Sequence, residues 1–383
     1  MAQIIAWGGS FYLIAVLAAP VVQDTGWSQA WVYGSLSLAI LISGLLAPRV
    51  GHLVARIGGR TLLLASAPTL ALGLVLLSIA PSLPMFVASW VVIGLGMAAG
   101  LYDVLFATLG KLFGKNARSA ITQVTLVSGF CTSITWPLVA TLVAHLGWRG
   151  ACLAYALLLM GVVLPIYWRC VPRHEPVTAA KAAAQPAQAL PQGKVFWLLT
   201  ASFTLAAVIF TAISVQLISL LQAQGLSLVA ALGIAALIGP SQVAARVVEV
   251  LFGRQAHPIW SALGSVLMVA AGLLCIHFAS GLAVLGIIVY GVGSGIRSIV
   301  RGTLPLALFG PAVYAVVLGR IARPTLIAQA LTPIVGGYLQ AHFGAGVTLG
   351  VLAGLAVVNV LLVGLLIKSI RAPLAVSAHR GSP

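Results

Sequence analysis

Residues 169–194 read RCVPRHEPVTAAKAAAQPAQALPQGK, the one long polar connection in an otherwise apolar chain. A run rich in Ala, Pro and Gln is the composition of a flexible linker, and it divides the 383 residues into two apolar halves. Before it, apolar runs cover 4–22, 29–50, 61–80, 84–109, 120–144 and 149–168; after it, they cover 195–220, 227–250, 258–279, 282–307, 324–341 and 346–367. Each is close to the roughly 20 residues that carry a helix across a bilayer core. The pattern predicts an all-α membrane protein whose 12 transmembrane helices, spans 1 to 12, form two pseudo-symmetric six-helix bundles. These are residues 1–168 and 195–368, joined by the linker and followed by a tail, 369–383.

Composition agrees. Hydrophobic residues make up 61% of the chain and charged residues 6%, with a mean hydropathy of +1.14, whereas a soluble domain is about one quarter charged. A cytosolic enzyme is excluded, and most of the surface has the lipid bilayer as its partner. The net charge of +16 would suit nucleic acid only on a solvated basic face, and there is no soluble domain to carry one. Topology explains it instead. Arg49, Arg56 and Arg60 follow span 2; Lys111, Lys115 and Arg118 follow span 4; Arg169, Arg173, Lys181 and Lys194 lie between spans 6 and 7. Arg254, Arg320, Arg323, Lys368, Arg371 and Arg380 continue that side, and Arg149 stands alone on the other. The positive-inside rule therefore places both termini in the cytoplasm. Met1, Ala2 and Gln3 before the first run offer no basic leader region, so span 1 is expected to stay. Cys131, Cys152, Cys170 and Cys275 show no CxxC spacing and read as packing residues.

The halves echo each other. Leu112-Phe113-Gly114 returns as Leu308-Phe309-Gly310, and Trp136-Pro137-Leu138 as Thr332-Pro333-Ile334, at one common offset. Span 4 (GLYDVLFATLGKLFG) is also similar to span 10 (GIRSIVRGTLPLALFG). After span 2, Gly51-His52-Leu53-Val54-Ala55-Arg56-Ile57-Gly58-Gly59-Arg60 resembles the loop signature G-x-x-x-D-R-x-G-x-R of the major facilitator superfamily, with Ala55 at the acidic position. Asp24-Thr25-Gly26-Trp27-Ser28 is similar to the acid-Gly-Trp segment of its monocarboxylate and oxalate:formate porter branch. The resemblance implies a multi-pass, monomeric transporter of a bacterial inner membrane, working by alternating access, with spans 1, 4, 7 and 10 lining a central cavity.

Charges inside a span are costly, about 2.5 to 3.5 kcal/mol each at a helix centre, and mark function by default. Asp103 is the only acid well inside a span and is the candidate for proton coupling. Arg297 and Arg301 lie four apart on one face of span 10; two planar guanidinium forks suit an anionic substrate. Tyr12 is a further candidate substrate contact, and Gln216 and Trp136 are polar-tipped or aromatic residues of the same kind. Arg56, Arg60, Arg246 and Glu249 read as gating charges, the last two as a local i,i+3 pair. His145, His277 and His342 are scattered, so no metal site is expected, and no motif calls for a cofactor or for catalysis. The glycines Gly94, Gly96 and Gly100, with Gly291, Gly293 and Gly295, suit close helix approach. The expected function is secondary transport of a small organic anion, monocarboxylate-like, with proton coupling or exchange. The alternative is a proton-driven exporter of amphipathic or cationic compounds, in which Asp103 binds the cation.

Overall fold

The computed structural model describes residues 1–172, 193–252, 257–278 and 280–379. Arg173, Lys181, Arg254 and Arg380, four of the topology cations, and most of the linker lie outside the described residues. Among the described residues all regular structure is helical.

Among the described residues eight helical stretches are long and apolar enough to cross a membrane, and two of them far exceed one crossing: Ala117–Cys170 with 54 residues and Ala283–Ile370 with 88. Gly147 cuts the first, at φ 67°, and Gly310 and Gly344 cut the second, at φ 73° and 81°. Left-handed backbone of this kind ends a helix and is cheap only for glycine. The three cuts fall at the expected 5/6, 10/11 and 11/12 connections and turn eight stretches into eleven. The helices Ala2–Gly8 and Ile14–Thr25, each too short alone, together supply a twelfth at the N-terminus.

The same glycines carry the internal repeat. Positive φ occurs at Gly26 and Gly225, at Gly114 and Gly310, and at Gly147 and Gly344, with Gly58 unmatched among the described residues, so the ends of spans 1, 4 and 5 are matched by those of spans 7, 10 and 11. The duplication read from short sequence echoes is thus written in the backbone as well.

Two compact units result: residues 1–172 with 309–330, and residues 193–308 with 331–379. Lipid offers apolar helices no hydrophobic reward for association, so close van der Waals contact must hold them. In the first unit a Cβ on Gly94 would lie 2.7 Å from the Ala39 carbonyl oxygen, and one on Gly96 would lie 2.7 Å from the Leu70 side chain, which packs span 4 against spans 2 and 3. Residues 309–330 sit on span 2 in the same way. A Cβ on Gly51 would meet the Ala315 carbonyl oxygen at 2.6 Å and the Gly319 Cα at 3.2 Å, and one on Gly319 would run into the Ala47 carbonyl. The first glycine of the loop signature is therefore small because another backbone lies against it. In the second unit Ile213, Leu217, Leu273, Ile287, Tyr290 and Leu349 belong to one buried core, and Gly293 lies against Ser265 and Val269.

Candidate functional site

Spans 1 and 4 are both broken inside the first unit. Span 1 stops at Gly8 and resumes at Ile14. Its Gly8-Gly9 pair is a weak helix former and is pressed between other spans: a Cβ on Gly8 would strike Tyr155 and Thr135, and one on Gly9 would lie 2.5 Å from the Tyr155 ring. The Tyr155 hydroxyl donates to the Ile5 carbonyl at 3.2 Å. Span 4 breaks at Leu101, which is extended (φ −84°, ψ −168°) between helices Leu83–Gly100 and Tyr102–Phe113.

One buried side chain joins the two breaks. Gln3, 4% exposed, donates from Nε2 to the Gly100 carbonyl at 2.7 Å and to the Tyr167 hydroxyl at 2.9 Å. Its Oε1 accepts from Trp7 Nε1 at 3.0 Å. The carboxamide thus satisfies a carbonyl beside the span 4 break, and the same bonds fix the plane of the Trp7 indole. Around that indole the rings gather. Tyr102 lies 4.9 Å away between centroids, Phe11 5.5 Å and Tyr12 5.9 Å, while Tyr102 stacks on Phe106 at 4.9 Å and 10°. Trp136 meets Tyr12 edge-on at 6.3 Å and donates Nε1 to the Tyr12 carbonyl at 3.3 Å. That carbonyl is available because the Val16 N–H, its partner in an unbroken helix, bonds to Leu13 instead.

Asp103 follows Tyr102 in the first turn of helix Tyr102–Phe113, where the partial positive charge of a helix N-terminus complements a carboxylate. It is half-buried.

The second unit holds the arginines. Arg297 has its Cζ over the ring of Phe210 of span 7, 4.7 Å from the centroid, and Arg301 follows one turn later; both are partly open. A guanidinium over an aromatic face is held there by a cation–π contact. Gln216 is buried with its carboxamide against Gly336, and its Oε1 and the Thr211 hydroxyl have no hydrogen-bond partner among the described residues.

The remaining charged candidates brace helices. Arg56 is in the last turn of helix Gln29–Ile57, and Arg60 donates to the Trp168 carbonyl at 2.7 Å. Where the loop signature has an acid, Lys111 Nζ reaches in and donates to the carbonyls of Val54 (3.0 Å) and Ala55 (2.7 Å), capping the C-terminal turn of that helix. Arg246 donates to the Gly295 carbonyl at 3.3 Å and to Gln242 at 3.5 Å; Glu249 accepts from Ser261 at 2.6 Å. Both tie span 8 to neighbouring spans. At the other end of the first unit, Asp24 accepts from Trp148 Nε1 at 2.8 Å and from Arg149. Asp24 is two residues beyond the first apolar run, and the bonds from Trp148 and then Arg149 hold its carboxyl below the ordinary carboxylate range. Among the described residues no group of three His, Cys, Asp or Glu could hold a metal ion.

The sequence matches the family model described as Major Facilitator Superfamily over residues 1–323. The chain belongs to the major facilitator superfamily. Solved structures share the fold at low identity. The human organic anion transporter MFSD10 (TETRAN) aligns with a TM-score of 0.73 at 17% identity, over 94% of this chain and 96% of that one. The proton:xylose symporter XylE bound to 6-bromo-6-deoxy-D-glucose gives 0.72 at 14%, over 94% and 92%. FucP in the outward conformation gives 0.75 at 12%, over 95% and 97%. Among curated proteins none matches. As a superfamily member the chain is a membrane transporter by family and not an enzyme.

Of the residues singled out from sequence, the structure brings Tyr12 and Trp136 together in this superfamily member, and Asp103 follows Tyr102 of the same aromatic group in the chain. Arg297 and Arg301 are in the second unit. Gln3, Trp7 and Phe11 were missed. Their signal was present: a polar residue opening an apolar run, then a double glycine flanked by aromatics.

Proposed function

We propose that the protein is a secondary transporter of a small organic anion, coupled to protons or working by exchange, and alternating access between the two halves of the chain. The observation that carries this reading is the pair Arg297 and Arg301, one helical turn apart in span 10, partly open, with Arg297 oriented by Phe210. Permanent cations at that depth are costly unless a function retains them, and their geometry matches a carboxylate. The organic anion transporter among the structural neighbours is in keeping with this. Asp103, in the first turn of the second half of span 4, is the proposed coupling carboxylate, and Tyr12 a proposed substrate contact. Arg56, Arg60, Arg246 and Glu249 hold the helix ends that alternate access must move. The proposed setting is a bacterial inner membrane with cytoplasmic termini and a monomeric protein.

One observation favours a second reading: the aromatic group beside Asp103 would also suit a lipophilic cation, as an exporter requires. Uptake of labelled carboxylates and organic cations into proteoliposomes, with and without a pH gradient, separates the two. The anion reading expects carboxylate flux that Arg297→Ala lowers at least tenfold and a gradient response that Asp103→Asn abolishes. Cation flux with no carboxylate flux refutes it.

A further inference from the structure

We infer that the ring cluster at the breaks of spans 1 and 4 is a subsite for an aromatic ring of the transported compound, so that the substrate is an aromatic acid and not a short aliphatic one. This deepens the transport reading and rests on it.

Three observations support the subsite. First, interrupted membrane helices are tolerated only where the freed backbone is buried in protein or lines a cavity, and transporters place binding sites at such interruptions near mid-depth. Here two interruptions meet, joined by Gln3. Second, the rings are not core filling. Trp90, Phe86 and Tyr155 of the same unit are fully buried, whereas Trp7, Phe11, Tyr12 and Tyr102 remain partly open. Nor do they form the aromatic belt at a membrane surface, since Tyr102 lies only about five residues, roughly 8 Å, from the middle of its apolar run. Third, hydrogen bonds and ring contacts orient the members of the cluster. The indole of Trp7 is held by Gln3, Tyr102 is stacked on Phe106, and Trp136 is tied to the backbone at Tyr12. Preorganised faces and edges favour a planar ring through offset and edge contacts, an advantage that an aliphatic group of equal size does not share.

The test uses the full-length protein in proteoliposomes and matched probe pairs of similar size: benzoate against cyclohexanecarboxylate, and tetraphenylphosphonium against tetrabutylphosphonium. Counterflow of each is measured in wild type, Tyr102→Leu, Trp7→Leu and Trp7→Phe. Wild type is expected to prefer the aromatic member of the carboxylate pair by about tenfold, the sum of two ring contacts. Tyr102→Leu and Trp7→Leu should bring that ratio near one, and Trp7→Phe, which keeps a ring, should restore most of it. Because the readout is a ratio within one preparation, a variant with less folded protein still reports. Carboxylate flux with no ring preference overturns the subsite and leaves the anion reading standing. Ring preference confined to the phosphonium pair, and lost in Tyr102→Leu, overturns the anion reading while the aromatic subsite survives.

Discussion

Replacing Gln3 with Leu should destabilise the protein by about 2 kcal/mol. The carboxamide makes three hydrogen bonds, to the Gly100 carbonyl, the Tyr167 hydroxyl and Trp7 Nε1, from a position 4% exposed. Hydrogen bonds between side chains in membrane helices average about 0.6 kcal/mol each, and three give ~2 kcal/mol, or roughly 30-fold in the unfolding equilibrium. Leucine keeps the volume and supplies no partner, so all three groups are left unpaired. Trp7→Phe removes one bond of the three and should cost about 0.6 kcal/mol in hydrogen bonding, together with whatever the smaller ring forfeits in packing. Equilibrium unfolding of the purified protein in mixed detergent micelles reads both differences. A Gln3→Leu protein that unfolds within about 0.5 kcal/mol of wild type, below the average worth of a single such bond, would refute the claim that this network holds the two broken spans together.

Gly319→Val should lower both stability and transport, because its side chain would run into the Ala47 carbonyl where residues 309–330 lie on span 2; overpacking of this kind costs roughly 1–3 kcal/mol, readable as a drop in unfolding midpoint, whereas Gly337→Val, at a position with open space, should be mild by the same assay. Lys111→Ala should cost about 1 kcal/mol by removing the bond to the Ala55 carbonyl, since the Val54 carbonyl keeps the Gly58 N–H, measured in the same micelles. Acid should erase the contribution of Asp24. Its folded pKa is lowered, so the stabilisation is complete above the ordinary carboxylate value and is lost as pH falls through the folded one; the thermal-midpoint gap between wild type and Asp24→Asn should therefore be present at pH 7 and close at strongly acidic pH.

The number of spans was legible because hydrophobicity and length are averages over about 20 residues, and the glycines that end the spans, Gly26, Gly114, Gly147 and their partners, stand in polar or turn-like surroundings. The breaks within spans 1 and 4 were not. Gly8-Gly9 and Gly100 lie in apolar runs, where a glycine equally well means close packing, and what decides is Tyr155, Thr135 and Gln3 arriving from elsewhere in the chain. The charged candidates were legible as positions and less so as partnerships. Arg246 and Glu249 read as a pair by spacing, yet they bond to Gly295 and Ser261. Ala55 departs from the loop signature, and its backbone carbonyl accepts from Lys111 of a different span. Local spacing cannot reveal a partner supplied from more than 50 residues away.

Gln3 also sets an order of assembly. Two of its three partners lie 97 and 164 residues downstream, so on a ribosome this span enters the membrane carrying an amide N–H group whose acceptors are not yet made. Trp7 alone is at hand. The amide is satisfied in part when span 4 arrives and in full only when span 6 does, so a segment synthesised before both is among the last to be locked. The Gly8-Gly9 pair is likewise packed by Thr135 and Tyr155, which come later in the chain, so the shape of span 1 is a property of the assembled bundle.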